Sequence, residues 1–286
     1  MLAAVRILAQ PEKAMNTYPE LLQQIMAEGV AVNPRGREVR ELVKASLIVT
    51  PFCNIYAWPG VRPIEKIQEY LWKELAWYLS GDRQAVHISK YAGLWDKIKN
   101  PDGTLNSNYG HLVFYNKTKH PSLGNITRTP FQWALTSLKK DPDSRQGVIT
   151  YNTGGFNFDG NDDYICTQHQ AFLIRDNTLR CFIALRSSDA IFGLTYNMPW
   201  WSLVHQQLWH ELRVYYPNLM LGSIEVDIYS AHVYAQHYKT VDAMIQHEPE
   251  LYYLKLEEKI PLHKDMAWYS EHLPELLSLH NKEAAK

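Results

Sequence analysis

Apolar residues in the first third of the chain recur at two distinct spacings. From Tyr18 to Ala27, Leu21, Leu22, Ile25 and Met26 fall at helical intervals, and Gly29 follows as a stop, which predicts an amphipathic α-helix. Val39 to Val49 is dense in β-branched and aliphatic residues and predicts a strand. The Asn33-Pro34-Arg35-Gly36 turn before it puts Arg35 and Arg37 on a loop. Helical spacing returns with Ile64, Ile67, Leu71, Leu75 and Tyr78, between Pro63 as the first helical residue and Gly81. Glu74 falls inside that helix between Trp72 and Trp77, an unexpected place for a carboxylate that only decorates a solvated face. Further on, Pro130 to Leu138 predicts a helix, and Val148 to Tyr151, Tyr164 to Ile174 and Leu179 to Leu185 predict strands. Trp200 to Tyr215 predicts an apolar helix and Ser223 to Tyr229 a last strand, while Pro249, Pro261 and Pro274 punctuate short helical patterns after Gln246. Consecutive strands among helices predict an α+β fold. With no repeat, low-complexity tract or linker, residues 1–286 are expected to form one domain.

Composition narrows the functional classes. At 46% hydrophobic and 21% charged, the chain can bury enough surface to fold without help. Its 29 Lys and Arg against 30 Asp and Glu leave a net charge of -1, so no global basic field draws a polynucleotide and no nucleic-acid partner is obligatory. Cys53, Cys166 and Cys181 are odd in number and form no CxxC pair, which argues against a disulfide framework and a structural zinc site and fits a reducing cytoplasm. Met1 to Gln10 lacks a small-residue cleavage site, and the apolar runs fall short of the ~18–20 residues that span a bilayer. A soluble intracellular protein without a membrane partner is expected.

Several residues carry candidate chemistry. Cys166, in Tyr164-Ile165-Cys166-Thr167, is read either as a nucleophile activated by Arg145 and Arg186 or as a small buried hydrophobe. Leu185-Arg186-Ser187-Ser188-Asp189 places a guanidinium, two hydroxyls and a carboxylate after an apolar strand. That is either a phosphate-binding strand end or a solvated turn, and Pro142-Asp143-Ser144-Arg145 carries the same two readings. His205, His210, His232 and His237 lack HExxH or Cys/His spacing, so no metal is expected; His232 and His237 flank Tyr234 in a cluster suited to hydroxyl groups. GxGxxG, P-loop and GxSxG patterns are absent from the sequence.

Taken in order, these stretches resemble the thymidylate synthase superfamily, closest to its phage pyrimidine hydroxymethylase branch. MNTYPELLQQIMAEG followed by NPR resembles the first helix and the phosphate-gripping loop, whose arginine is Arg35. KELAWYLSGD resembles the segment of the catalytic glutamate, Glu74, and GLWDKI the folate-side tryptophan motif, Trp95. NSNYG is similar to the hydroxymethylase form of a motif that ends in Tyr109 and Gly110. PDSRQG resembles a PDSRRG phosphate motif supplied across a dimer interface, keeping Arg145 but replacing the second arginine by Gln146. YICTQHQAFLIRD resembles the nucleophile strand, with Cys166 followed by threonine where synthases usually place histidine. RSSDAIFGLTYN supplies Arg186, Ser187, Ser188, Asp189, Gly193 and Asn197, and SAHVYAQH matches the sugar-binding pattern at His232 and Tyr234. The match runs from about Met15 to Met244, which leaves 245–286 as a C-terminal extension.

The resemblance implies a thymidylate synthase-like α+β domain, a mixed sheet packed by helices, and a homodimer formed through the sheet. It implies that the Cys166 thiolate adds to C6 of a pyrimidine nucleoside monophosphate and that C5 then takes one carbon from 5,10-methylenetetrahydrofolate. Arg35, Arg145, Arg186, Ser187 and Ser188 hold the phosphate, and the same cations help keep the sulfur ionised. Glu74, Tyr109, Asp189 and Asn197 join Cys166 in the catalytic group, Glu74 ordering water and moving protons, while Trp95, Asp189 and Gly193 face the folate. The NSNYG and Cys-Thr variants, with an NKEAAK ending in place of a short apolar terminus, favour water attack and a hydroxymethyl product. Asn197 replaces the aspartate of the deoxycytidylate enzymes; its carboxamide pairs with the N3–H and O4 of uracil, which points to dUMP. The alternatives are dCMP or CMP hydroxymethylation, thymidylate synthesis, and a catalytically silent relative that binds a nucleotide or RNA because Gln146 weakens the phosphate site.

Overall fold

The computed structural model describes residues 16–50, 52, 54–117, 122 and 128–281. Met1 to Gln10, Met15, Cys53 and the segment after Asn281 lie outside the described residues. In chain order the elements are α1 (Tyr18–Glu28), β1 (Val30–Val32), β2 (Val39–Val49), β3 (Asn54–Ala57), α2 (Ile64–Ser80), α3 (Ala85–Ile88), α4 (Leu94–Ile98) and α5 (Pro130–Lys140). There follow β4 (Val148–Thr150), β5 (Thr167–Arg175), β6 (Thr178–Leu185), β7 (Ser188–Asp189), α6 (Gly193–Leu212) and β8 (Met220–Tyr234), then α7 (Tyr238–Ile245), β9 (Glu250–Leu256), α8 (Met266–Leu276) and β10 (Leu277–Asn281). The mixture is α+β, as the pattern predicts.

Helices form where the periodic stripes lie because each stripe is buried. Leu21, Leu22 and Ile25 of α1 and Ile67, Leu71 and Leu75 of α2 are at most 1% exposed, and burial stabilises each by about 1.5–3 kcal/mol. Pro63 stands one residue outside α2 as its cap, and Gly81 ends the helix in the left-handed conformation, φ 67°. Strand pairing joins β1, β2, β8, β6, β5 and β4 in that order, with the two-residue β7 beside β8. All neighbours run antiparallel except β6 and β7 against β8. This register brings the start of β2, the end of β8, the end of β6 and the start of β5 to one end of the sheet.

Three expectations change. Residues 164–166 precede β5, so Cys166 sits on a turn at the strand's mouth and not within it. Helix α6 starts at Gly193, seven residues before Trp200, because the helix is buried nearly all round and packing prevails over local propensity. Strand β8 runs on to Tyr234, so His232 and Tyr234 belong to its last turn of pleat. The tail also differs from a series of short helices: β9 pairs with β3, almost 200 residues earlier, and with β10 on its other side, and α8 packs on α2. No helix among the described residues is long and apolar enough to cross a membrane.

Candidate active site

Cys166 stands at the end of the sheet where the strand termini converge, partly exposed to solvent. Its turn is fixed through its carbonyls. Arg186, at the end of β6, donates its backbone N–H to the Cys166 carbonyl at 3.0 Å and its Nε to the Ile165 carbonyl at 3.0 Å, and its terminal nitrogen bonds the Tyr164 carbonyl. The guanidinium also lies 4.8 Å from the Tyr164 ring centre. Gln168 donates to the Cys166 carbonyl at 3.2 Å from the first residues of β5. Arg186 therefore grips the loop that carries Cys166.

Burial pushes the Cys166 thiol above its ordinary value; Arg186 pulls it down, Asp163 pushes it up, Arg35 pulls it down and Asp189 pushes it up. The arginines act in the expected direction, but withdrawal of a thiolate from water outweighs them, so the cations do not by themselves keep the sulfur ionised. Arg35 is exposed on a short turn with φ 52° ahead of β2, beside the end of β8. Cys181, by contrast, is fully buried in the core, and its thiol is raised further still by burial.

A chain of hydroxyls and rings connects the Cys166 turn to Glu74. Thr167, next to Cys166, bonds the Tyr109 phenol at 3.2 Å. Tyr109 stacks on Tyr78 with ring centres 5.3 Å apart and planes 10° from parallel. The Tyr78 hydroxyl donates to Glu74 Oε1 at 3.1 Å. Glu74 is 5% exposed and its Oε2 has no hydrogen-bond partner among the described residues. Burial lifts its carboxyl to about 7, with Tyr78 and Tyr70 partly opposing. Tyr70 accepts the Trp95 indole N–H at 2.6 Å, and Trp95 packs on Trp77 with ring centres 5.0 Å apart. Tyr70, Glu74 and Tyr78 are spaced by four, a signal in the sequence that places all three on one helix face.

The opposite wall comes from β7, β8 and α6. Ser187 Oγ lies 3.4 Å from His232 Nδ1, and the His232 and Tyr234 rings meet edge to face. Ser188 turns inward: it is 3% exposed, and a side chain at Gly193 would meet its hydroxyl at 3.1 Å, so the exposed polar lip is left to Ser187. Asp189 accepts from the Ile191 N–H at 2.8 Å, and burial raises its carboxyl against the pull of that bond and of His232 and His237. Asn197 lies in the first turns of α6, partly exposed, and its carboxamide bonds no described residue. Periodicity alone gives no hint of Arg62. Its Nη1 donates to the Ile191 carbonyl at 2.8 Å and to Thr195 at 2.6 Å, and its guanidinium lies over the Phe192 and Tyr196 rings, which steadies the segment carrying Asp189, Gly193 and Asn197.

Arg145 is not brought to this site. It is exposed beside Asp143, whose carbonyl accepts from Arg175 at the far end of β5, and eight residues at ~3.3 Å each separate that end from Thr167. The polar side chains of NSNYG are likewise engaged inside the chain. Asn106 bonds Asn161 at 3.1 Å, Ser107 bonds Asp163 at 2.6 Å, and Asn108 bonds the Trp77 and Asp82 carbonyls at 2.8 Å each. Gly110 is required by contact, because a Cβ there would lie 1.6 Å from the Tyr78 carbonyl oxygen.

A family model described as thymidylate synthase matches residues 16–273, beyond the Met244 at which the motif resemblance stops. The deoxycytidylate 5-hydroxymethyltransferase of Enterobacteria phage T6 is 30% identical over 184 residues, covering 61% of this chain and 70% of that protein. The proteins of the same name from phages T4 and T2 are each 29% identical over the same length.

Proposed function

The chain belongs to the thymidylate synthase family of one-carbon transferases, and from that premise we propose that it hydroxymethylates C5 of a pyrimidine deoxynucleotide, dUMP in the first instance. The observation that carries this reading is the convergence of a partly exposed Cys166 with Arg35, Arg186 and a buried Glu74 whose second oxygen is unpartnered. Members of the family use methylenetetrahydrofolate as cosubstrate. That unpartnered oxygen, the 46% exposed Phe192 ring and the side-chain-free Gly193 suit a flat, hydrogen-bonding ring system held by Trp95, Asp189 and Gly193. When bound, the folate supplies the one-carbon unit.

The residues of this chain then act on the nucleotide. Arg35 and Ser187 orient the phosphate, Arg186 fixes the loop that aims the sulfur, and His232 and Tyr234 meet the sugar hydroxyl. Cys166 Sγ adds to C6, which makes C5 nucleophilic. Glu74, near pH 7 at its midpoint, is poised to give and take a proton at the ring, and the Tyr78 and Tyr109 rings wall its approach. Loss of the C5 proton and departure of tetrahydrofolate leave a methylene at C5 that water attacks, and the C6–Sγ bond breaks to return Cys166 as the thiolate. A second copy of the chain brings Arg145 to the phosphate, because its own lies at the other end of β5; this is the homodimer reading.

Base choice rests on Asn197, whose unengaged carboxamide presents an acceptor to N3–H and a donor to O4 of uracil. The names of the phage relatives favour dCMP as the second reading. Incubation with methylenetetrahydrofolate and either nucleotide, read by product mass, separates them: 5-hydroxymethyl-dUMP is expected. Formation of dTMP with dihydrofolate overturns the hydroxymethyl reading, and product from dCMP alone overturns the base assignment.

A further inference from the structure

Asp163 lies three residues before Cys166, is 5% exposed, and has no part in the chemistry described above. Every oxygen of its carboxylate is engaged by the segment 106–107: Oδ2 accepts from the Asn106 N–H at 2.6 Å and the Ser107 N–H at 3.0 Å, and Oδ1 accepts from the Ser107 hydroxyl at 2.6 Å. The Asn106 side chain closes the loop by donating to the Asp163 carbonyl at 3.3 Å and to Asn161 at 3.1 Å, and it accepts from Asn100 at 2.9 Å. Asn108, two residues on, is bonded to the carbonyls of Trp77 and Asp82 at the end of the helix that carries Glu74. One polar segment therefore ties the turn of the sulfur to the helix of the buried carboxylate. Each of these side chains already has a partner within the chain, so the motif's contribution is geometric.

We propose that Asp163 is the positioning residue of the nucleophile: its buried carboxylate clasps residues 106–107 and so sets the Cys166 sulfur against Tyr109 and Glu74. This rests on the covalent role given to Cys166. A carboxylate accepting three hydrogen bonds is a rigid clasp, since charge-assisted bonds are about twice as strong as neutral ones. A reacting atom displaced by about 1 Å loses turnover on the order of 100-fold. The charge also reaches the sulfur. The groups that face it are Arg186 and Arg35, which lower the thiol, and Asp163 and Asp189, which raise it, with the Tyr109 phenol alongside.

Three variants of the full-length protein separate clasp from charge. Asp163→Ala removes both and is expected to lower kcat about 100-fold with KM for the nucleotide little changed. Asp163→Asn removes the charge but keeps an oxygen for the two backbone N–H groups, and it is expected to recover at least tenfold of that loss, on the order of one to two hydrogen bonds. Iodoacetamide labelling of Cys166 across pH, read by mass on the peptide, gives a readout that mere stability does not move. Its midpoint is expected to fall in both variants, because a like charge is gone. Wild-type kcat and labelling midpoint in Asp163→Ala overturn the proposal, as does Asp163→Asn without any recovery. Should Asp163→Ala fail to fold, Ser107→Ala decides: a fall in kcat at constant KM supports the clasp, and wild-type turnover overturns it. The labelling needs no substrate, so a Cys166→Ser enzyme that still formed product would defeat the covalent reading without touching these shifts.

Discussion

Replacing Glu74 by glutamine should stabilise the protein and disable it, and the pH dependence of the stabilisation tests the burial argument. The carboxyl is lifted from an ordinary 4.5 to about 7 by loss of water around the charged form. Below pH 4.5 both folded and unfolded chains hold the proton, so the group contributes nothing. Between 4.5 and 7 the unfolded chain has lost a proton that the folded chain keeps, so folding stability falls as pH rises, by about 1.4 kcal/mol per pH unit. Above 7 the loss levels off near 3 kcal/mol. Glutamine is neutral throughout, and its amide can use the Tyr70 and Tyr78 hydroxyls; any mismatch there adds an offset without a slope. Urea unfolding of both proteins at pH 4.5, 6 and 8 should show the glutamine variant gaining about 3 kcal/mol on the wild type across that range. Turnover should fall by roughly 10²- to 10⁴-fold, the usual worth of a general acid–base group. A stability difference that stays constant with pH would refute the reasoning, since it would mean that Glu74 ionises as freely inside as outside.

Further outcomes are expected. Gly110→Ala forces a Cβ to within 1.6 Å of the Tyr78 carbonyl, so it should destabilise by about 3 kcal/mol or more, visible as a lowered Tm. Because Arg145 lies a strand length from Cys166 of its own chain, mixing inactive Cys166→Ser with inactive Arg145→Glu protein should restore about a quarter of wild-type activity through hybrid dimers, each with one intact site; no recovery would place the arginine outside the site. Asn197→Asp should move the kcat/KM ratio from dUMP toward dCMP by about 10-fold or more, measured with the two nucleotides in competition.

Some of the site is local and therefore readable from the chain. Arg186, Ser187 and Asp189 follow one strand in succession, His232 and Tyr234 close another, and the four-residue spacing of Tyr70, Glu74 and Tyr78 is a property of any helix. Their meeting is not local. Asp163 and Arg62 escape a pattern reading because their partners, Ser107 and Thr195, stand 56 and 133 positions away, and only packing brings them close. The early start of α6 escapes it too, because Thr195, Tyr196, Asn197 and Pro199 resemble a turn until burial of the helix prevails over propensity.

The sequence by itself determined the periodic helices α1 and α2, the strands β2 and β6, and the order of the chemical groups, because side chains a turn or two residues apart share a face whatever surrounds them. Tertiary structure alone decided that Cys166 rests on a turn outside its strand, that its thiol is raised despite two arginines, that Arg145 lies at the other end of β5 from Cys166, and that β9 of the tail pairs with β3. The reason is the same in each case: desolvation and strand pairing depend on residues far along the chain, and they come into being only when the chain has closed on itself.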